Sequence, residues 1–185
     1  MSKNNNKKSM LLVAAIFILP VILAKFALEL DWFNKAATNK GELLDPVLDM
    51  SALYSTEPPQ VWRILYTLPA NCDDACQNAI YSVNQVWTAL GKESDRAQPV
   101  IIVTEQSDAQ ARAQLSKLPN LTLLESDVDT VSSVFNSASQ YIYIADTLQN
   151  VILRYPLHQQ QQEAVLHSRE ILADVKKLLK LSRIG

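Results

Sequence analysis

The chain has 185 residues, enough for one domain of ordinary size plus an appendage, and its 17 basic and 19 acidic side chains leave a net charge of −2. Residues 1–30 set four lysines against Glu29, a surplus of +3, so residues 31–185 carry −5. A mildly acidic domain lacks the clustered cations that phosphate contacts need, and three glycines (Gly41, Gly91, Gly185) cannot build a phosphate-cradling loop, so nucleic acid and nucleotides are both excluded as partners.

The appendage comes first in the chain. Met10–Ala24 (MLLVAAIFILPVILA) is uncharged and apolar, and the run continues past Lys25 through Leu28, close to the roughly 20 residues that a bilayer crossing needs. Lys25 can snorkel to the interface, and Trp32 reads as an interfacial anchor. Lys3, Lys7 and Lys8 precede the run without an acidic residue, so the tail over 1–9 is expected in the cytoplasm and everything beyond residue 30 outside it. No good Ala-x-Ala site follows the apolar run, which favours an uncleaved anchor over 10–30 above a cleaved signal peptide. The expected localisation is the inner membrane, single-pass, with a periplasmic soluble domain.

Residues 31–58 mix short apolar pieces with turn formers (Asn39-Lys40-Gly41, Asp45-Pro46, Pro58-Pro59) and read as a membrane-proximal connector. The domain is expected over 59–185. Val61–Leu68 is a β-prone run bounded by prolines, as for a strand buried on both faces. Cys76, Ala79, Ile80, Val83, Val86, Trp87 and Leu90 recur at helical spacing, with Gly91 as the stop. A second strand, Pro99–Thr104, is followed by a Ser107-Asp108 cap and a modest helix to about Leu118, then a short strand over Leu121–Leu124. Tyr141–Ala145 and Val151–Tyr155 have hairpin spacing. Val165, Leu166, Leu172, Val175, Leu178 and Leu179 lie on one face of a terminal helix, with Lys176, Lys177, Lys180 and Arg183 near its negative end. This order predicts an α/β fold with parallel crossovers first and an antiparallel pair afterwards.

Cys72 and Cys76, the only cysteines, follow the first strand as Asn71-Cys72-Asp73-Asp74-Ala75-Cys76. Closing so short a ring stabilises a fold by only about 2 kcal/mol, so the pair points to chemistry rather than to a structural staple. Asn71 or Asp73 can cap the following helix, placing Cys72 at or before its first turn and Cys76 one turn on, with both sulfurs on one face. The helix N-terminus favours thiolates, while Asp73 and Asp74 oppose them. Thiol–disulfide exchange and Cu(I) binding by two soft thiolates are both consistent with this pattern, whereas tetrahedral zinc needs more ligands.

Other candidates point to structure. Trp62, Tyr66 and Trp87 sit at core spacing, and Asp127 with Asp129 reads as a helix cap and a solvated charge. Ser132, Ser133, Ser137 and Ser139 lack a nucleophile elbow, and His158 and His167 read as ordinary surface or helix residues.

The strand ending in a Cys-x-x-x-Cys loop, then helix, strand, hairpin and terminal helix, resembles the thioredoxin-like Sco proteins, membrane-anchored factors that mature the copper A site of cytochrome c oxidase. Thr38–Pro46 is similar to the leading segment of small membrane-anchored proteins that accompany cytochrome oxidase assembly genes in proteobacteria. Tyr143–Asp146, Asn150–Tyr155 and Asp174–Leu179 continue the likeness, which spans roughly residues 36–182. Asp73 and Gln77 stand where Sco proteins have prolines, and Asn136–Gln140 occupies the stretch that carries their histidine ligand. The resemblance implies a thioredoxin-like domain with a central mixed sheet flanked by helices, and an accessory role in oxidase assembly. It also implies a cytochrome c oxidase subunit or another assembly factor as partner. Cys72 and Cys76 are the expected catalytic residues and the expected metal ligands, with Cu(I) as the metal. By analogy with thioredoxin-type loops, Cys72 attacks and Cys76 resolves. A general periplasmic thiol–disulfide oxidoreductase and a non-catalytic, membrane-tethered scaffold with an inert local disulfide are the alternatives.

Overall fold

The computed structural model describes the backbone of residues 3–29, 39–136 and 138–182, and their side chains except at 3–8, 11 and 27–29. Trp32, Ser137 and Arg183 lie outside the described residues. The chain divides into two compact units, Met1–Thr38 and Asn39–Gly185. The first contains helix α1, Lys3–Glu29, with Pro20 inside it. Met10, Phe17, Val21 and Phe26 are among the apolar side chains that α1 leaves exposed. The expected membrane span over 10–30 runs through Leu11 and residues 27–30, whose side chains lie outside the described residues. Among the described residues, no helix is long and apolar enough to cross a membrane.

The second unit is built on a six-stranded sheet in the order β1-β6-β5-β2-β3-β4. Its strands are β1 (Glu42–Asp49), β2 (Trp62–Thr67), β3 (Ala97–Val103), β4 (Thr122–Glu125), β5 (Tyr141–Ala145) and β6 (Asn150–Pro156). β2, β3 and β4 are parallel, while β5 runs antiparallel to β2 and β6, and β1 antiparallel to β6. The helices are α2 (Asp74–Ala89), α3 (Ala109–Leu115), α4 (Val128–Val134) and α5 (Gln161–Leu181). The mixed sheet flanked by helices matches the expected fold.

All six residues of β2 are buried because both faces are covered. Ile64 and Tyr66 pack with Ala79 and Val83 of α2 and with Ile171 and Val175 of α5, while Leu65 joins Ile102, Val131, Phe135 and Tyr143 on the other side. Arg63 is buried in the same strand. Its guanidinium donates to the carbonyls of Pro59, Val61 and Asp146 and lies over the Tyr54 ring at 5.3 Å, so its cation is solvated by backbone dipoles and a π face instead of a carboxylate. α2 ends as its glycine stop requires. Gly91 has φ +61°, and the Trp87 indole donates to Ser94 and Ala97 carbonyls, fastening the helix end to the start of β3.

The segment expected as a connector is corrected by the strand it contains. Residues 42–49 form β1, which closes the sheet edge on β6, with a break in pairing between Leu43 and Leu48 around Pro46. Just before it, Lys40 and Gly41 donate their amides to Asp174 on α5, at 2.7 and 2.9 Å. Gly41 lies against the Tyr155 ring so closely that a Cβ would overlap its Cζ and Cε1 atoms. Because that ring is buried, Gly41→Ala should destabilise the domain by about 2 kcal/mol in urea unfolding. A change below about 0.5 kcal/mol would mean that Tyr155 yields freely. α4 is a second addition to the predicted elements. Asp127 caps it as expected, accepting from the Thr130 amide at 2.7 Å.

Candidate functional site

Cys72 and Cys76 meet as a disulfide at the carboxyl end of β2, with Cα atoms 5.2 Å apart. The local sequence accounts for the placement. Pro69 follows β2, and Asp73 then caps α2 by accepting from the Cys76 amide at 2.9 Å. Cys72 therefore precedes the cap and Cys76 is the third residue of the helix. Cys76 is 1% exposed and belongs to the core, whereas Cys72 is half-buried and packs on its edge. Cys72 is thus the more accessible of the two residues and Cys76 is shielded.

Two carboxylates hold this loop. Asp108 caps α3 by accepting from Gln110 and Ala111, and its second oxygen accepts from the Cys72 amide at 3.1 Å. Asp73 also accepts from the Gln159 amide at 3.0 Å, and Asn78 of α2 donates to the carbonyls of His158 and Gln159. The cysteine loop is in this way tied to α3 on one side and to the segment after β6 on the other. Backbone donation from Cys76, then the Gln159 amide, holds the Asp73 carboxyl below its ordinary value of 3.8. Donation from Ala111 and then Cys72 lowers Asp108 likewise.

Folded values below 3.8 mean that these caps contribute stability fully above about pH 4 and lose it as pH falls through the lowered values. At neutral pH both are anions beside the sulfurs and oppose the thiolate that the helix N-terminus favours. Asp73→Asn keeps a capping oxygen and removes one charge. In the reduced chain it should move the pH midpoint of Cys72 alkylation downward by about 0.5–1, measured with iodoacetamide. An unchanged midpoint would show that the Asp73 charge is screened from the thiol. Nearby, the Tyr66 hydroxyl is buried without a hydrogen-bond partner among the described residues, and burial, reinforced by the Asp73 charge, pushes its ionisation upward, so it is a neutral phenol.

A groove of about 640 Å³ between α2 and α3 has Cys72 and Asp108 in its lining. A second cavity, about 430 Å³, lies on the other side of the loop, with Tyr66, Asp73, Gln140 and Gln159 among its lining residues and neither cysteine. The two histidines read as ordinary residues stack on one another, with ring centroids 3.8 Å apart, and face Glu163 and Glu170. Among the described residues, no three His, Cys, Asp or Glu side chains group as a metal cluster. Ala138–Gln140 forms a single turn of 3-10 helix ahead of β5, and the sequence over 136–140 contains no histidine.

Residues 62–182 match the family model described as a transmembrane-like, thioredoxin-like, C-terminal domain. The chain belongs to this thioredoxin-like family. No curated protein matches it. Among solved structures it is similar to Bradyrhizobium japonicum ScoI with copper bound, at 17% identity over 70% of this chain and 97% of that one, TM-score 0.43. Yeast Sco1 with copper bound is also 17% identical, over 74% of this chain and 92% of that one, TM-score 0.47. Arabidopsis thaliana ScoI with copper bound gives 17% over 71% and 97%, TM-score 0.46. In the thioredoxin-like domain, the sequence pointed to both cysteines and to Asn71 or Asp73 as the cap, but not to the link from Asp108 to Cys72. The Ser107-Asp108 cap was the available signal.

Proposed function

We propose that this protein is a membrane-tethered, Sco-like thioredoxin-like factor that cycles Cys72 and Cys76 between disulfide and dithiol. One observation carries the reading: the two cysteines are joined at a helix N-terminus, Cys72 half-buried in the lining of a groove and Cys76 buried. An asymmetric pair of this kind suits exchange, because a partner thiol reaches one sulfur while the second leaves and later returns.

The apolar run over 10–28 supports an anchor in the inner membrane, and the lysines before it support a cytoplasmic N-terminus and a periplasmic domain. The sequence resemblance supports assembly of a cytochrome c oxidase as the setting, with an oxidase subunit or another assembly factor as partner. Copper enters this reading as cargo. Once reduced, the donors are two thiols, and among the described residues no third ligand clusters with them, a set that fits Cu(I) and not the mixed nitrogen and sulfur set of Cu(II). In the reduced chain Cys72 and Cys76 would hold the ion, and transfer to a partner site would be the chemistry it supplies.

The test uses the full-length chain in mild detergent, reduced with dithiothreitol. Cu(I) is titrated against a competing chelator before and after Cys72→Ser, with thiol alkylation followed in the same samples. Reversible opening of the disulfide supports the redox cycle, and one-to-one Cu(I) binding lost on mutation adds the cargo role. A disulfide that stays closed under mild reductant overturns the reading in favour of an inert local bridge.

A further inference from the structure

The groove between α2 and α3 assigns more than the site of exchange. Gln77 and Asn84 of α2 face Gln110 and Gln114 at α3, so side-chain amides line both walls, with Ile80 and Leu118 between them. Leu118 is 42% exposed. Among the described residues the one carboxylate in the lining is Asp108, whose second oxygen accepts from the Cys72 amide and which is held ionised by its backbone donors. Among the described residues, neither Lys nor Arg lines the groove. Each amide carries both a donor and an acceptor, the complement of an extended backbone, and the apolar strip accommodates alternate side chains.

We infer that the thiol partner of Cys72 is a cysteine-bearing peptide segment with uncharged or basic flanks, seated in the α2–α3 groove, and that acidic thiols are turned away by Asp108. This assignment rests on the redox cycle proposed above and names its substrate class. The partner thiolate attacks the Cys72 sulfur, forming the intermolecular S–S bond as the Cys72–Cys76 bond breaks and Cys76 leaves as a thiolate that takes a proton from water. A second thiolate of the same peptide then attacks its own sulfur in the mixed disulfide and releases Cys72. Two electrons pass from the peptide dithiol to the protein disulfide, leaving a peptide disulfide and a protein dithiol.

The oxidised full-length chain in detergent is challenged with dithiol peptides of equal length bearing basic, neutral or acidic flanks, and with glutathione. Each rate is divided by the rate with dithiothreitol. The basic and neutral peptides should exceed the acidic peptide and glutathione by about tenfold at low salt. Gln114→Lys, a cation on the groove wall, should narrow or reverse that order. Gln140→Lys, a cation in the cavity across the loop, should leave it unchanged. Equal rates for all flanks, or an order that follows Gln140→Lys and not Gln114→Lys, would overturn the assignment while leaving the redox cycle intact. Failure of dithiothreitol to open the disulfide would instead remove the redox cycle itself, and the assignment with it.

Discussion

Replacing Asp174 with alanine is expected to lower the stability of the thioredoxin-like domain by about 3–5 kcal/mol, read as a fall of roughly 10–15 °C in Tm. Asp174 is 2% exposed, and one of its oxygens accepts from the Lys40 amide, the Gly41 amide and the Tyr155 hydroxyl at 2.7, 2.9 and 2.8 Å. Truncation leaves three donors without an acceptor at a largely dry site, and each orphaned group costs about 1–3 kcal/mol. The Tyr155 phenol is held neutral by burial and by this same carboxylate. Tyr155→Phe removes one donor and leaves two, so it should cost only about 1 kcal/mol, and the double variant should fall well short of the sum. The two amides immediately precede β1, which gives the loss a location as well. Hydrogen exchange of the β1 amides should quicken before that of β2. An Asp174→Ala chain within 1 kcal/mol of the native one, with β1 protection unchanged, would mean that water replaces the carboxylate and that β6 alone holds the sheet edge.

That network marks where the sequence stops being legible. α2 and α5 were readable because their apolar residues repeat over several turns, and β2, β3 and the β5–β6 pair because their runs are bounded by prolines or turn residues. β1 has no such signature. It is an edge strand with Pro46 at a break in its pairing, and its partner β6 lies more than a hundred residues away, with Glu42 opposite Arg154. α4 spans only seven residues, too few for a period, although its Asp127 cap was visible. At the site, local chemistry set Cys72 before the first turn and Cys76 one turn on, with Asn71 or Asp73 as the cap, and the structure selects Asp73. The bond from Asp108 to Cys72 depends on β3 lying beside β2, and the stacking of His158 on His167 depends on where α5 begins. Spacing in one sequence encodes neither.

The largest functional effect should separate the two cysteines. In the Cys76→Ser chain, Cys72 remains half-buried in the lining of the α2–α3 groove with no resolving sulfur, so a mixed disulfide with a dithiol peptide should accumulate whenever the peptide's own second thiol is blocked. In the Cys72→Ser chain the remaining thiol is Cys76, 1% exposed and packed among residues of β2, α2 and α5, so an incoming sulfur reaches it only after local opening. Alkylation of Cys76 in that variant should be slower than that of Cys72 in its counterpart by about 100-fold, followed by mass under native conditions, and should converge with it in urea. Both variants lose disulfide turnover, so turnover alone does not distinguish them. The trapped adduct does. Its appearance on Cys72 and absence on Cys76 assigns attack to the outward sulfur, and Cys76 then acts by expelling the partner. Equal trapping on both would mean that Cys76 is reached as readily as Cys72 and that burial does not select the attacking sulfur. The groove between α2 and α3 would then be a surface feature without a role in exchange.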